Sequence, residues 1–163
     1  MAGESSFDVV SDFDQQELVN ALDQVRREIA TRYDFKGSRS TLELGKTEVT
    51  LQADDEFRAK AVRDLVESKA VRRGLSLKVF DWGKLETAAG SSVRQVIGLK
   101  RGLTSDQAKE LSKKIRDEFP KVKPVIQGDA VRVTAKSKDD LQKVIGYLRA
   151  LEYPVALQFT NYR

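Results

Sequence analysis

The 163-residue chain is 40% hydrophobic and 33% charged, a composition typical of soluble proteins and a length that suits two small domains. It contains no His and no Cys, which excludes disulfides, thiolate chemistry and iron–sulfur clusters and removes the usual general base. No apolar run approaches the ~20 residues that cross a bilayer, and the acidic N-terminus lacks a secretion signal, so we expect a cytoplasmic protein with no membrane partner.

Charge is distributed unevenly along the sequence. Residues 1–90 hold 14 Lys and Arg and 17 Asp and Glu, a net charge of −3, whereas residues 91–163 hold 15 and 8, a net charge of +7. A basic second half favours a polyanionic partner, although solvated Lys and Arg side chains on helix faces produce the same count.

The first half of the chain has the pattern of two helices and four strands. In chain order the predicted elements are a strand at 7–11, a helix from Asp14 to about Arg32, a hairpin at 41–44 and 48–53, a helix that begins after Asp54 and ends before Gly74, and a strand at 75–82. Asp14 and Asp54 are the predicted N-caps, because a carboxylate there accepts hydrogen bonds from the free amides of the first helical turn. The segment 83–92 is rich in Gly, Ala and Ser and is predicted to be a linker.

The second half repeats the same order of elements. They are a strand at 93–101, a helix after the capping box of Thr104 and Gln107, a hairpin at 122–127 and 130–135, a helix after Ser137, and a strand at 155–160. Each helix and each strand has one apolar face, so every element can contribute to a core.

The repetition predicts an α+β fold, a tandem of two ferredoxin-like (RNP-like, βαββαβ) domains. Each domain would be a four-stranded antiparallel sheet with two helices on one face. The first would span residues 1–82 and the second, more basic domain residues 93–163, with 83–92 as the linker. The N-terminal strand can complete either unit, and sequential pairing is the favoured interpretation. The uncovered face of each sheet is where functional groups are expected.

One strand of the second unit carries cations on the face opposite its apolar residues. Arg132, Thr134 and Lys136 are spaced two residues apart along it. A guanidinium binds phosphate oxygens with two hydrogen bonds, an ammonium adds charge and a hydroxyl donates, so we predict a phosphate-binding strip. A solvated sheet surface has the same pattern. If the strip binds phosphate, replacing Arg132 and Lys136 with Ala should weaken affinity while leaving folding intact.

Two aromatic residues at the end of the first unit have two interpretations. Phe80 and Trp82, the single Trp, lie opposite the leucines of their predicted strand. They are candidates for base stacking or for packing between the two units. The middle strands 48–53 and 130–135 carry no aromatic residue, which disfavours the base stacking used by RNA-recognition motifs.

Two further segments supply candidate ligand-binding residues. After the first helix, Arg32 and Lys36 can contact phosphate while Tyr33 and Phe35 stack on a base. A helix-terminal cation and a buried aromatic residue explain the same segment. In the C-terminal segment, Asn161 can read a base edge and Arg163 adds a guanidinium.

Catalysis is not expected from this sequence. A phosphohistidine mechanism needs His, and an acylphosphatase-like site needs an Arg in an anion cradle together with an Asn on a middle strand. Neither predicted unit has that pair. Asp54, Asp55 and Glu56 are typical of a first helical turn, so we expect no metal site and no cofactor.

Four sequence blocks carry a family resemblance. They are 6–11 (Ser-Phe-Asp-Val-Val-Ser), 31–37 (Thr-Arg-Tyr-Asp-Phe-Lys-Gly), 127–134 (Gln-Gly-Asp-Ala-Val-Arg-Val-Thr) and 157–163 (Leu-Gln-Phe-Thr-Asn-Tyr-Arg). In these blocks the chain resembles the YajQ family of bacterial proteins. The resemblance implies tandem ferredoxin-like domains, nucleotide binding as the activity and cyclic di-GMP as the ligand of some members. It also implies a cytosolic regulatory role, in some relatives through contact with a transcription factor.

The leading hypothesis is a non-enzymatic nucleotide-binding regulator whose ligand is cyclic di-GMP, GTP or ATP. The alternative is an RNA- or DNA-binding module that uses the basic second unit. The affinity of such a module would fall steeply with salt, because each neutralised phosphate releases counterions. A third class, a nucleotide-hydrolysing enzyme, would require turnover that vanishes when one carboxylate or Arg is replaced.

Overall fold

A computed structural model describes residues 3–163, which form four α-helices and eight β-strands. In chain order they are β1 (Ser5–Val10), α1 (Gln15–Thr31), β2 (Thr41–Leu44), β3 (Glu48–Ala53), α2 (Glu56–Arg72), β4 (Phe80–Thr87), β5 (Val93–Leu99), α3 (Ser105–Glu118), β6 (Lys123–Gln127), β7 (Ala130–Ala135), α4 (Lys138–Ala150) and β8 (Gln158–Thr160). The strands form two antiparallel sheets of four, with orders β6-β7-β1-β8 and β2-β3-β5-β4.

The chain divides into two compact units, each with one sheet and two helices. Unit one comprises residues 3–12 and 101–163, and unit two comprises residues 13–100. In unit one, α3 and α4 pack on the sheet face that carries Phe7, Val9 and Val131. In unit two, α1 and α2 pack on the corresponding apolar face of their sheet. The fold is therefore α+β with two ferredoxin-like units, which confirms the predicted fold class.

Neither sheet is built from one half of the sequence alone. The sheet of unit one takes a central strand, β1, from the first half of the chain, and the sheet of unit two takes a central strand, β5, from the second half. β1 pairs with β7 and β8, whereas β5, which follows the predicted linker, pairs with β3 and β4. The structure thus replaces the sequential division into 1–82, 83–92 and 93–163. Unit one is a βαββαβ unit with unit two inserted after its first strand, and in unit two the equivalent strand comes last. In β1 and β5, apolar and polar residues alternate over a similar length, and each strand fits the same central position in a sheet. The sequence pattern alone therefore does not show which of the two sheets each strand joins.

Half of the predicted linker 83–92 is part of a strand. β4 extends into it, with a register shift between Trp82 and Leu85 that marks a β-bulge. Gly83 is required in this bulge, because a Cβ there would lie 2.5 Å from the carbonyl oxygen of Val96. A Gly in this segment therefore indicates close backbone approach within a sheet rather than a flexible connection.

The charge asymmetry of the sequence disappears when charges are counted by structural unit. Residues 1–12 and 101–163 hold 13 Lys and Arg and 11 Asp and Glu, and residues 13–100 hold 16 and 14, so each unit carries a net charge of +2. The prediction of a more basic second domain depended on the sequential division. The local arrangement of charges, and not the net charge of a unit, must therefore distinguish the two sheets.

The helices begin at side-chain caps. Asp14 accepts hydrogen bonds from the first-turn amides of α1, as predicted. Thr104 and Gln107 form both hydrogen bonds of the predicted capping box, at 3.1 and 3.0 Å. For α2 the cap is Asp55, which accepts from the backbone N–H of Arg58 at 2.8 Å, and not Asp54 as predicted. No described helix is both long enough and apolar enough to cross a bilayer.

Candidate functional site

One face of the sheet in unit one packs on the helices, and the other carries mainly polar side chains. We call the second the polar face of unit one, and it presents Ser6 and Asp8 of β1, Lys123 and Val125 of β6, Arg132 and Thr134 of β7, and Thr160 of β8. Paired residues on neighbouring antiparallel strands share a face, so the register aligns these side chains in rows across the sheet. One row contains Arg132 and Asp8, and the next contains Lys123, Thr134 and Ser6.

Asp8 lies in the middle of this face and is only 7% exposed. Arg132 donates from Nε to Oδ1 at 2.9 Å and from Nη2 to Oδ2 at 3.4 Å. Asn161 donates from Nδ2 to Oδ2 at 2.8 Å. Sequence analysis missed Asp8, because alternation with the core residues Phe7 and Val9 places it on the uncovered face, and its contact with Arg132 depends on the strand register.

The partners of Asp8 keep it ionised. The hydrogen bond from Arg132 lowers the pKa of Asp8, and the Asn161 amide and the charges of Arg132 and Arg163 lower it further. Desolvation of the carboxyl raises its pKa but is outweighed. The hydrogen bond to Asp8 in turn raises the pKa of Arg132. The polar face thus holds a fixed carboxylate and a fixed guanidinium at its centre.

The pairing of β1 with the C-terminal segment shifts by one residue at Asn161. Asp8 pairs with Thr160, but Ser6 exchanges backbone hydrogen bonds of 3.1 and 3.0 Å with Arg163. The extra residue makes a β-bulge, and Asn161 adopts the left-handed φ of +54° that Asn tolerates better than most residues. The bulge brings Asn161 onto Asp8 and aligns Arg163 with the row of Ser6.

The predicted cationic strip lies on one face, but its members differ in their environment. Arg132 is held by Asp8, which leaves its Nη1 without a hydrogen-bond partner among the described residues. Thr134 is half-buried, and Lys136 is exposed just beyond β7. Lys123, opposite Thr134, is a cation that sequence analysis missed because the hairpin register decides its face. Replacing Arg132 would strip Asp8 of its main partner, which corrects the expectation that this change leaves folding intact.

The equivalent face of unit two is acidic. Its paired positions carry Glu43 of β2, Glu48 of β3 and Asp81 and Glu86 of β4, together with the cation Arg94 of β5. Phosphate is repelled by such a surface and attracted by the cations of the other sheet. The polar face of unit one is therefore the better candidate for an anionic ligand.

The four candidate residues of the loop after α1 occupy different environments. Arg32 donates two hydrogen bonds to Asp34, at 3.0 and 2.8 Å. Phe35 is 2% exposed and belongs to the core of unit two, which corrects its assignment as a stacking residue. Tyr33 is 89% exposed, and Lys36 is also exposed, so these two side chains are accessible to a ligand.

Asp54 anchors this loop instead of capping α2. Its carboxylate accepts hydrogen bonds from the Ser38 hydroxyl and from the backbone N–H of Arg39. The Ser38 hydrogen bond lowers the pKa of Asp54, and the Arg39 amide adds to the effect against desolvation. The loop that carries Tyr33 and Lys36 is therefore fixed at its far end to the start of α2.

Phe80 and Trp82 face the core of unit two. Leu77–Val79 form a single 3-10 turn, so β4 begins at Phe80 and alternates differently from the predicted strand at 75–82. Phe80 is 5% exposed, which excludes it from base stacking. Trp82 packs against the same core, and the Arg63 guanidinium lies 4.4 Å from its ring centre, so an internal cation–π contact already occupies part of the ring.

Comparison with known proteins identifies the family. A family model described as "Nucleotide-binding protein YajQ-like" matches residues 5–163. The chain belongs to the YajQ family. Relatives named nucleotide-binding proteins include one from Synechococcus elongatus at 63% identity over 163 residues, one from Chloroflexus aggregans at 60% over 165 residues and one from Trichodesmium erythraeum at 55% over 163 residues, each covering 100% of both chains.

Three of the four blocks that carry the YajQ resemblance meet in unit one. Block 6–11 contains most of β1, block 127–134 contains the hairpin turn and most of β7, and block 157–163 contains β8 and the bulge. Block 31–37 forms the loop after α1 in unit two. The polar face of this YajQ-family chain is thus built largely from residues of the blocks that carry the resemblance. Within residues 3–163, no three His, Cys, Asp or Glu side chains are grouped so as to hold a metal ion.

Proposed function

We propose that this YajQ-family chain binds a nucleotide on the polar face of unit one without transforming it, and that the ligand is cyclic di-GMP. The names of its relatives support nucleotide binding, and the charge difference between the two sheets supports unit one as the site. Binding without turnover suits a cytoplasmic regulator that passes its ligand state to a protein partner. The family resemblance suggests a transcription factor for that partner.

A single row of side chains carries the proposal. Thr134 and Ser6 are paired on neighbouring strands, with Lys123 on one side of them and Arg163 on the other. Two hydroxyls between two cations match a phosphate, because hydroxyls donate to its oxygens while the cations neutralise its charge. The Asp8 carboxylate in the next row is neutralised by Arg132, so it does not repel the anion.

Two further cations, one on each side of Thr134 along β7, are candidates for contact with the second phosphate of a cyclic dinucleotide. Arg132 and Lys136 each lie two residues from Thr134, a distance of roughly 7 Å in an extended chain. The free Nη1 of Arg132 and the Lys136 ammonium are therefore both available at β7. Cyclic di-GMP carries its two phosphates at opposite sides of one ring, so one phosphate can lie in the row of Thr134 while the other contacts Arg132 or Lys136.

Calorimetric titration of the chain with cyclic di-GMP, GTP and ATP tests this function. We expect cyclic di-GMP to bind most tightly, and the double variant Lys123→Gln, Lys136→Gln to lose about tenfold or more in affinity because two charge-assisted contacts are removed. The matched control is Lys113→Gln, an exposed lysine of α3 outside the polar face. Equal loss in both variants, or recovery of hydrolysed nucleotide after incubation, would contradict the proposal.

The same titration separates a nucleotide from the nucleic-acid alternative. A short single-stranded RNA should bind more weakly than cyclic di-GMP at about 50 mM salt and should lose most of its affinity at about 200 mM salt, because it releases more counterions. Tighter binding of RNA than of every nucleotide at both salt concentrations would favour an RNA-binding module instead.

A further inference from the structure

A cavity of about 320 Å³ lies between the end of β1, the C-terminal segment and α4 in unit one. Its lining residues are Ser5, Ser6, Lys138, Leu141, Gln142, Tyr162 and Arg163. Ser6 and Arg163 belong both to this cavity and to the row that carries the proposed function. The cavity therefore adjoins the end of the proposed phosphate site at Ser6 and Arg163, whereas Leu141 and Tyr162 lie on the helix side of the sheet.

The lining of the cavity has an apolar base and a polar rim. Leu141 is 5% exposed and belongs to the core of unit one. The Tyr162 ring is 58% exposed and lies 6.2 Å from the buried Phe7 ring, which supports it from the core side. Ser5, Ser6, Gln142, Lys138 and Arg163 complete the lining. An apolar pocket with a few convergent polar groups is the usual form of a small-molecule site.

Charge distinguishes this cavity from the one in unit two. A cavity of about 400 Å³ between α2 and the β4–β5 pair is lined by two cations, Lys60 and Arg63, but also by the carboxylates of Glu56 and Asp64. The charged side chains of the unit one cavity are Lys138 and Arg163. An anion is therefore favoured in unit one.

We infer that this cavity takes one purine base of the bound nucleotide, which stacks on Tyr162 while its phosphate lies at Arg163, where the cavity meets the end of the polar face. This inference rests on the proposed function and names the part of the ligand that gives it specificity. Aromatic stacking accepts any base but favours the larger purine face, and the Gln142 amide can both donate to and accept from a base edge. A volume of about 320 Å³ is at the low end for ligand pockets, so it suits one nucleotide unit rather than a whole cyclic dinucleotide.

Calorimetry with cyclic di-GMP, GMP, AMP and CMP tests the inference. We expect Tyr162→Leu to lower the affinity for cyclic di-GMP and GMP about tenfold, because a base loses its stacking surface. Tyr162→Phe keeps the ring and should bind as the unchanged chain does. Lys138→Gln should weaken binding, whereas Lys143→Gln, an exposed lysine of the same helix outside the cavity, should not. Thermal unfolding of each variant checks that the contact with Phe7 is not needed for folding.

The outcomes show whether the base binds in the cavity and whether the nucleotide binds on the polar face. Loss of binding in Tyr162→Leu and Lys138→Gln, with binding retained in both controls, supports the cavity as the base site. Unchanged binding in those two variants, with loss in the Lys123→Gln, Lys136→Gln variant, overturns the cavity but leaves the proposed function standing. No binding of any nucleotide by the unchanged chain overturns both. CMP binding as tightly as GMP overturns the assignment of a purine.

Discussion

Residues 13–100, expressed alone, should fold into a stable domain, whereas residues 1–82 should not. The fragment 13–100 contains the whole sheet β2-β3-β5-β4 and both of its helices. The fragment 1–82 lacks β5, the central strand that pairs with both β3 and β4 and contributes the fully buried Ile97. It would also carry β1, whose partners β7 and β8 are absent. Loss of a central strand removes two ladders of hydrogen bonds and part of the core at once.

Circular dichroism and thermal unfolding measure this difference directly. A cooperative transition for 13–100 and none for 1–82 is the expected result. A third fragment, 13–163, lacks only the segment that contains β1. In this fragment we expect unit two to remain folded and unit one to lose its cooperative transition. A cooperative transition for the fragment 1–82, together with an unstructured fragment 13–100, would contradict the observed strand arrangement. It would support the sequential division of the chain instead.

Asp8→Asn should destabilise unit one by about 1.5 to 3 kcal/mol at neutral pH, the cost of losing hydrogen bonds to a buried charged group. The substituted amide has one acceptor oxygen where the carboxylate has two, so its N–H₂ group must face at least one donor of Arg132 or Asn161, and that contact becomes repulsive. In denaturant unfolding, this loss of stability appears as a lower midpoint denaturant concentration, with an unchanged slope of the unfolding free energy against denaturant concentration. Asp64→Asn, which changes a carboxylate on α2 in the other unit, is the matched control and should change the free energy of unfolding by less than about 0.5 kcal/mol.

The contribution of Asp8 should also depend on pH in a defined direction. Its pKa is lower in the folded chain than in the unfolded chain, where it is about 4, mainly because of the hydrogen bond from Arg132. The stabilisation is therefore complete above about pH 4 and is lost as the pH falls through the lowered folded value. The difference between the unchanged chain and Asp8→Asn should shrink in that acidic range. A difference that stays constant down to about pH 2 would show that the ion pair contributes nothing.

Local features of the fold were predictable because neighbouring residues determine them. The hairpin at 41–44 and 48–53 has the predicted bounds, since alternation and a short turn fix both strands. The capping box of Thr104 and Gln107 involves residues three positions apart. The partners of β1 and β5 were not predictable, because the two strands have the same pattern and the choice between them depends on contacts across the whole chain.

The candidate site was predictable only in part. Alternation placed Arg132 and Thr134 on the uncovered face correctly, but the contact of Arg132 with Asp8 joins residues 124 positions apart and depends on register. Phe35 and Phe80 were expected to be accessible because aromatic residues suit both stacking and cores. Their burial depends on where the helices pack and where β4 begins, which the local sequence does not determine.

The most direct test of nucleotide binding on the polar face of unit one is to follow backbone amide chemical shifts of the isotope-labelled chain during titration with cyclic di-GMP. We expect the largest changes at Ser6, Asp8, Thr134 and Arg163, with the unit two sheet little affected. Saturable changes confined to residues 13–100, with none on β1, β7 and β8, would contradict the proposed site.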